Sequence, residues 1–348
     1  IQGRVAESVE SFTKAASLDS KNPEILNNLA KAQHGTNLFA DAANTYEKLN
    51  RLVPNNPQIL TDMGTSYAKL RDFENGLAYY SKAIKIQPDY FLAWSNLGNL
   101  YAAIKLSSKA LDSYNQALAI NPNYAETWTN LGNILFDLGR YQDAIDAHQN
   151  AIKLDSQYAE AWTNLGNALL EVKKDQEAFD CYKKAYSIKP QHPYLMGQYL
   201  AAKQNSAIWN DEPSIDEMLR LVAEDKPVAM PFILLNTPAS LELQKQCAMK
   251  FVLDKFPRQL DLVSRRRTWT PGKPIKIAYF SSDFKFHPVG VLMQNIIKMH
   301  DRSRFQVLGF FLNTPTGDEI EKSFKSLFDV SFDLSKLGDD EAIKLIQD

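Results

Sequence analysis

Side-chain amides recur in this sequence with a spacing that could bind a polypeptide. One column of asparagines repeats every 34 residues and comprises Asn96, Asn130 and Asn164. A second column follows one helical turn later and comprises Asn99, Asn133 and Asn167. Asn28 and Asp62 occupy the first column nearer the N-terminus. Asparagine is an indifferent helix former, so columns of it inside helices need a physical reason.

Two interpretations account for these columns, and the sequence leaves both open. A primary amide offers both a donor and an acceptor, so a ladder of amides on a concave surface would hold a peptide backbone without reading its side chains. Alternatively, the amides hydrogen-bond between neighbouring repeats and fix how the repeats stack. Each such bond contributes only about 0.5–1.5 kcal/mol, so binding would need several in register.

A second group of reactive side chains lies in the loop Ser281–Gly290, which reads SSDFKFHPVG. The loop follows an apolar segment, Ile275–Phe280, that predicts a buried parallel strand. Open parallel sheets bind their ligands at the carboxyl ends of the strands, which is where this loop lies. It contains no G-x-G-x-x-G, so a dinucleotide fingerprint is absent. A lone histidine here, His287, would by itself most simply cap a helix or pack in a core.

The elements that carry the asparagines form a repeat. Tryptophans, glycines and alanines recur at the same 34-residue interval, and the block W-x-N-L-G-N occurs three times, at Trp94–Asn99, Trp128–Asn133 and Trp162–Asn167. This period and pattern are typical of the tetratricopeptide repeat, a pair of packed helices. The phase gives five repeats, at 23–56, 57–90, 91–124, 125–158 and 159–192, preceded by half a repeat. We therefore predict a repeat domain over 1–192.

The chain does not begin with methionine, and a repeat array needs a cap at its end. We therefore expect further repeats before Ile1.

Two further segments follow the repeats. Prolines crowd between 193 and 274, where we predict a helical transition with a capping box at Ser214–Glu217 and a helix from 239 to 255. From 275 to 348, strands at 275–280, 305–312 and 330–334 alternate with helices at 291–300, 319–327 and 339–347. This alternation predicts the N-terminal part of a doubly wound α/β domain that is truncated at about half its size.

Composition excludes several classes of function. The net charge is −2, which provides no basic field for nucleic acid. Apolar stretches are too short to cross a bilayer, so we predict no membrane partner. The two cysteines, Cys181 and Cys247, have no metal-ligand spacing, and no carboxylate cluster suggests a cation, so we predict no metal site. A reducing, cytoplasmic (or nucleocytoplasmic) location fits this composition.

The C-terminal motifs resemble a known family. The stretch Ile277–Gln294, then Met299–Asp301, Phe305–Val307 and Phe332–Ser335, is similar to the start of the catalytic region of O-GlcNAc transferases. The variant H-P-V-G resembles the bacterial and Spindly-like branch. The order of repeats, helical transition and α/β segment is also that of the family.

This resemblance implies a protein O-glycosyltransferase with two Rossmann-like domains of the glycosyltransferase B type. The donor would be a nucleotide-sugar, UDP-GlcNAc or GDP-fucose, with no other cofactor, and the repeats would bind the acceptor protein. His287 matches the family's histidine near the reaction centre, as a general base or a group that positions acceptor and donor. Asp283 would fix the loop backbone or orient His287.

Groups that bind the donor diphosphate in the family fall beyond residue 348, so we expect these residues alone to be inactive. The alternative is a non-catalytic tetratricopeptide scaffold that binds protein partners.

Overall fold

The computed structural model describes residues 2–206, 208, 213–255, 274–313, 315–335 and 337–347. The chain divides into two compact units, residues 1–257 and 258–348. The first unit contains helices only in its described part, and the second alternates strands with helices.

The repeats are antiparallel helix pairs, as the period predicts. Their helices are α1 (Gln2–Leu18), α2 (Pro23–Gly35), α3 (Phe39–Leu52), α4 (Pro57–Lys69), α5 (Phe73–Ile86), α6 (Phe91–Ala103), α7 (Ser107–Ile120), α8 (Ala125–Asp137), α9 (Tyr141–Leu154), α10 (Ala159–Glu171) and α11 (Asp175–Ile188). The alanines of the second helices, Ala83, Ala117, Ala151 and Ala185, have no exposed surface, so small residues set the helix spacing. Pro88 and Pro122 follow one residue after the C-caps of α5 and α7, where proline cannot continue a helix.

The repeating glycines allow each helix pair to approach closely. Gly64, Gly98, Gly132 and Gly166 lie in the first helices of four successive repeats. A Cβ atom at Gly98 would lie 2.5 Å from the Tyr114 ring of the second helix, and one at Gly166 would lie 2.8 Å from the Tyr182 ring. Neither distance is compatible with a side chain, because a buried ring has no room to move. These glycines therefore allow the two helices of a repeat to pack in direct contact.

The repeat tryptophans are half-buried rather than fully buried, and each one also binds backbone. The indole Nε1–H of Trp94 donates to the Pro88 carbonyl at 2.9 Å, and that of Trp128 donates to the Pro122 carbonyl at 2.8 Å. Trp162 donates in the same way to Ser156 at 3.0 Å. Each tryptophan thus ties the first helix of a repeat to the turn that precedes it.

Four helices of the first unit follow the repeats: α12 (Leu195–Asn205), α13 (Ile215–Ala223), α14 (Pro231–Leu234) and α15 (Leu241–Lys255). One face of α12 places Leu195 and Tyr199 in the core of the last repeats. Its other face places Met196 and Leu200 in a separate cluster with α13, α14 and α15. Ser214 caps α13 by accepting from the Glu217 amide at 3.0 Å, as the capping box predicts.

The second unit is built around a three-stranded parallel sheet in the order β1-β2-β3. Its elements are β1 (Ile275–Ser281), α16 (Pro288–Lys298), β2 (Phe305–Phe311), α17 (Glu319–Leu327), β3 (Val330–Asp333) and α18 (Asp339–Gln347). In the register, Ile275 pairs with Phe305, and Leu308 pairs with Val330. Phe284, Ile297, Val307 and Phe324 form its buried core with neighbouring phenylalanines.

This architecture confirms the predicted fold class of a tetratricopeptide solenoid followed by the beginning of a Rossmann-like α/β domain. Two local features differ from the sequence expectation. Helix α12 begins at once after the repeats, although prolines obscured it in the sequence. Helix α16 begins at Pro288, three residues before the predicted start, because proline is favourable in the first helical turn.

Candidate functional site

The loop between β1 and α16 folds back on itself at the carboxyl end of the sheet. Phe284 anchors it: this ring is buried and lies 4.7 Å, centroid to centroid, from Phe324. A Cβ atom at Gly290 would collide with the backbone oxygens of Asp283 and Lys285. Only glycine therefore allows the first turn of α16 to lie against this loop.

His287 occupies the N-cap position of α16. Its Nδ1 accepts a hydrogen bond from the Val289 amide at 3.3 Å. A ring nitrogen that accepts has no proton, so the neutral imidazole carries its proton on Nε2 in this arrangement. The side chain is 42% exposed, which leaves it accessible to a ligand.

Asp283 is near His287 without a close hydrogen bond to it. Its Oδ2 lies 3.7 Å from His287 Nδ1, and its backbone N–H donates to Ser281 Oγ at 2.9 Å. The loop contact is thus made by the backbone of Asp283, and the approach to His287 is made by its carboxylate. The two roles of Asp283 remain predictions.

A connection between the first two βα loops was not predicted from the sequence. Asp318 caps α17 by accepting from the Glu321 amide at 2.8 Å, and its other oxygen accepts from the Phe286 amide at 3.1 Å. Hydrogen bonds from Thr316, Glu321 and Phe286 lower the pKa of Asp318 to about 2. A charged carboxylate thus joins the loop of His287 to the loop after β2. The sequence signal was the N-cap pattern of Asp318 followed by Glu321.

His300 lies apart from this group. Its Nδ1 is 2.9 Å from the Ile296 carbonyl and its Nε2 is 3.1 Å from the Tyr279 hydroxyl. These contacts match a structural histidine at the end of a helix.

The asparagine columns meet one another across the repeat boundaries. Asn130 Nδ2 donates to Asn99 Oδ1 of the preceding repeat at 3.0 Å, and Asn164 Nδ2 donates to Asn133 Oδ1 at 2.9 Å. Gln198 of α12 continues the series by donating to Asn167 Oδ1 at 2.8 Å. The second column is thus a row of acceptors within the array, and the six asparagines remain half-buried.

Tyrosines of the second helices share these acceptors. The Tyr114 hydroxyl donates to Asn99 Oδ1 at 2.7 Å, and the Tyr182 hydroxyl donates to Asn167 Oδ1 at 2.8 Å. These bonds are what the stacking interpretation requires. The bonds between asparagines use one amide hydrogen of Asn130 and one of Asn164. The Oδ1 atoms of these two residues have no partner in the described part of the chain.

Membrane-spanning helices and metal-binding clusters are both absent from the described residues. No helix among them is long and apolar enough to cross a membrane. In the same residues, no group of three or more histidine, cysteine or acidic side chains could hold a metal ion.

Models of known families match two parts of the chain. Tetratricopeptide-repeat models match residues 1–61, 57–90, 91–124, 113–146, 132–173 and 159–192. The model for glycosyl transferase family 41 matches residues 247–347, which include the C-terminal part of α15 and all the strands and helices of the α/β unit.

Individual relatives cover only parts of the chain. The UDP-N-acetylglucosamine–peptide N-acetylglucosaminyltransferase of Caenorhabditis elegans is 38% identical over 66 residues, which are 19% of this chain and 6% of that protein. The crystal structure of the APC/C hetero-tetramer Cut9-Hcn1 matches 72% of this chain and 46% of that chain at 14% identity, with a TM-score of 0.54. An O-GlcNAc transferase mutant from Thermobaculum terrenum matches 84% of this chain and 44% of that chain at 19% identity, with a TM-score of 0.37.

These findings define a tetratricopeptide-repeat protein whose C-terminal segment matches glycosyl transferase family 41. Within that class, the resemblance to the O-GlcNAc transferases that the loop motif predicts is confirmed by the family 41 match and the nematode relative.

Proposed function

We propose that the protein is a protein O-glycosyltransferase, which transfers a sugar from a nucleotide-sugar to serine or threonine hydroxyls of polypeptides held by the repeats. The observation that supports it most is the family 41 match over residues 247–347, a segment in which the His287 loop follows the carboxyl end of β1. The name of the nematode relative favours UDP-GlcNAc as donor, with GDP-fucose as the second candidate. A cytoplasmic location is part of the proposal.

The hydrogen bonds of His287 favour a positioning role over that of a general base. A base must present a lone pair to the acceptor hydroxyl, yet the Nδ1 lone pair already accepts from the Val289 amide. The remaining ring nitrogen is then a donor, which can hold an oxygen of the acceptor or the donor sugar.

Two substitutions of His287 distinguish its role in sugar transfer from its role as the N-cap of α16. His287→Asn keeps a side-chain oxygen that caps α16 well, whereas His287→Ala removes the cap at a cost of about 1 kcal/mol. In the complete protein we expect both variants to lose sugar transfer by about 100-fold or more, and only His287→Ala to lose stability. Radiolabelled sugar transfer and urea unfolding measure the two effects. Near-normal transfer by His287→Asn would refute a role for the imidazole.

The amide columns give a second test, directed at polypeptide binding. Replacing Asn96, Asn130 and Asn164 by alanine removes the first column, including two inter-repeat bonds. We expect weaker binding of acceptor proteins with nearly unchanged helical circular dichroism, because each second-column acceptor in the third and fifth repeats keeps a tyrosine donor. Asn115→Ala, on the exposed face of α7, is the matched control. Unfolding of the triple variant would establish these asparagines as stacking residues instead.

The non-catalytic scaffold is the alternative, and the same assays distinguish it. A scaffold would bind polypeptides through the repeats and show no sugar transfer in the complete protein with either donor.

A further inference from the structure

One repeat breaks the pattern of rings that pack on the repeating glycines. The ring residues of four successive second helices are Tyr80, Tyr114, His148 and Tyr182. The three tyrosines send their hydroxyls to the first helix of their own repeat, where they donate to Thr65, Asn99 and Asn167. Imidazole is shorter than phenol and has no hydroxyl. His148 therefore does not reach as far as a tyrosine and cannot make the hydrogen bond that the tyrosine hydroxyls make.

The polar atoms of His148 have no partner among the described residues. The side chain is 1% exposed, and neither Nδ1 nor Nε2 has a hydrogen-bond partner there. Buried polar groups in native proteins are almost always paired, so these two ring nitrogens make His148 a candidate binding group. Asn133, the equivalent of Asn99 and Asn167, has lost its intra-repeat donor for the same reason.

His148 lines a cavity of about 400 Å³ where the last two repeats meet the helices that follow them. Amides of the two columns and of α12 form much of its polar wall: Asn133, Asn164, Asn167 and Gln198. The cavity is therefore continuous with the amide columns. Repeat arrays present extended surfaces of this kind to their ligands, which favours a polypeptide as the occupant.

The charges in the wall do not favour an anion. Asp137 and Glu160 contribute two carboxylates, against the single ammonium group of Lys255. Burial lowers the pKa of His148 to about 4, so the ring is neutral near physiological pH. A neutral imidazole has one donor and one acceptor, and the groups that complement both are hydroxyls and primary amides.

We propose that this cavity is a subsite for one uncharged hydroxyl or primary-amide side chain (serine, threonine, asparagine or glutamine) of a polypeptide bound along the repeats. The proposal rests on the polypeptide-binding part of the proposed function, and not on sugar transfer.

The test compares short peptides that differ at one residue. The probes are acetylated, amidated peptides of sequence Gly-Val-X-Val-Gly with serine, asparagine or alanine at X, titrated into the full chain and followed by nuclear magnetic resonance. One hydrogen bond predicts that the serine or asparagine peptide binds about 3- to 10-fold more tightly than the alanine peptide. We also expect the ring resonances of His148 to shift on binding.

His148→Tyr is the matched variant, because it installs the residue that three other repeats carry at this position. His148→Phe fills the same space without a hydroxyl, and the melting temperature of each variant shows that it is folded. In both, the preference for serine or asparagine over alanine should disappear. Equal binding of all peptides by the unmodified chain, no detectable binding of any, or an unchanged preference in the folded variants would each overturn the proposal.

The two proposals can fail separately. If the preference is present and the complete protein transfers no sugar, the subsite stands and the enzyme assignment fails. If sugar transfer is measured while the preference is absent, only the subsite fails.

Discussion

At the scale of single residues, Asp62 is the member of the first amide column that departs from asparagine. Its Oδ2 is buried and has no partner in the described part of the chain. Burial raises the pKa of Asp62 to about 6, although Lys31 and the Tyr46 hydroxyl act to lower it. Because the folded-state pKa lies above the ordinary value of 3.8, the stability that this group contributes is present at low pH and is lost as the pH rises through about 6.

We therefore expect Asp62→Asn to stabilise the protein near neutral pH by roughly 1–3 kcal/mol, and to have little effect at acidic pH. Asparagine at this position also matches the rest of the column. Urea unfolding over a pH series measures the difference between variant and unmodified protein. The exposed Asp112→Asn is the control, and a loss of stability in Asp62→Asn near pH 7 would contradict the prediction.

The contribution of His148 to stability changes with pH in the direction opposite to that of Asp62, over an overlapping range of pH. Burial lowers its pKa from 6.5 to about 4, so its contribution is complete above pH 6.5 and is lost as the pH falls toward 4. The stability of the unmodified chain alone would mix the two effects. The contribution of either group is measured only by comparing the stability of the unmodified protein with that of a variant that lacks the group.

At the scale of elements, the turns inside the five repeats share a left-handed residue. The residues are Asn37, Arg71, Lys105, Gly139 and Lys173, all with φ between 62° and 73°. Only Gly139 is free of the steric cost of this conformation, which is about 1 kcal/mol for most residues.

Lys105→Gly should stabilise the array by about 0.5–1 kcal/mol, since the lysine side chain is exposed and glycine adopts this conformation without steric cost. Gly139→Lys is the reciprocal variant and should lose a similar amount. Thermal unfolding of the two variants measures both. A lower melting temperature for Lys105→Gly would show that the turn depends on its side chain.

These turns also show how far sequence reasoning extends. Helix α17 was predicted with its observed bounds, and the strands to within one residue, because apolar period and capping residues are local signals. The left-handed column was not predicted, since four of its five members are not glycine. The unpaired nitrogens of His148 were not predicted either, because they depend on how the two helices of the repeat pack against each other. The roles of His287 and Asp283 are still predictions.

At the scale of the whole molecule, the two units have different kinds of core. The repeats bury alanine, leucine and single tyrosines in clusters that run from one repeat to the next. The α/β unit depends on phenylalanine, with Phe284, Phe311, Phe324 and Phe328 packed in one cluster. The first type of core extends by addition of repeats, whereas the second is a closed cluster around one sheet.

The tryptophans of the third, fourth and fifth repeats give the array an optical signal of its own. Each indole N–H is bonded to a turn carbonyl, so opening of that turn would expose the indole to water and shift its emission to longer wavelength. A chain that keeps Trp128 alone, with every other tryptophan replaced by phenylalanine, would report on the boundary between the third and fourth repeats. Stopped-flow fluorescence of three such chains would show in what order the repeats come apart.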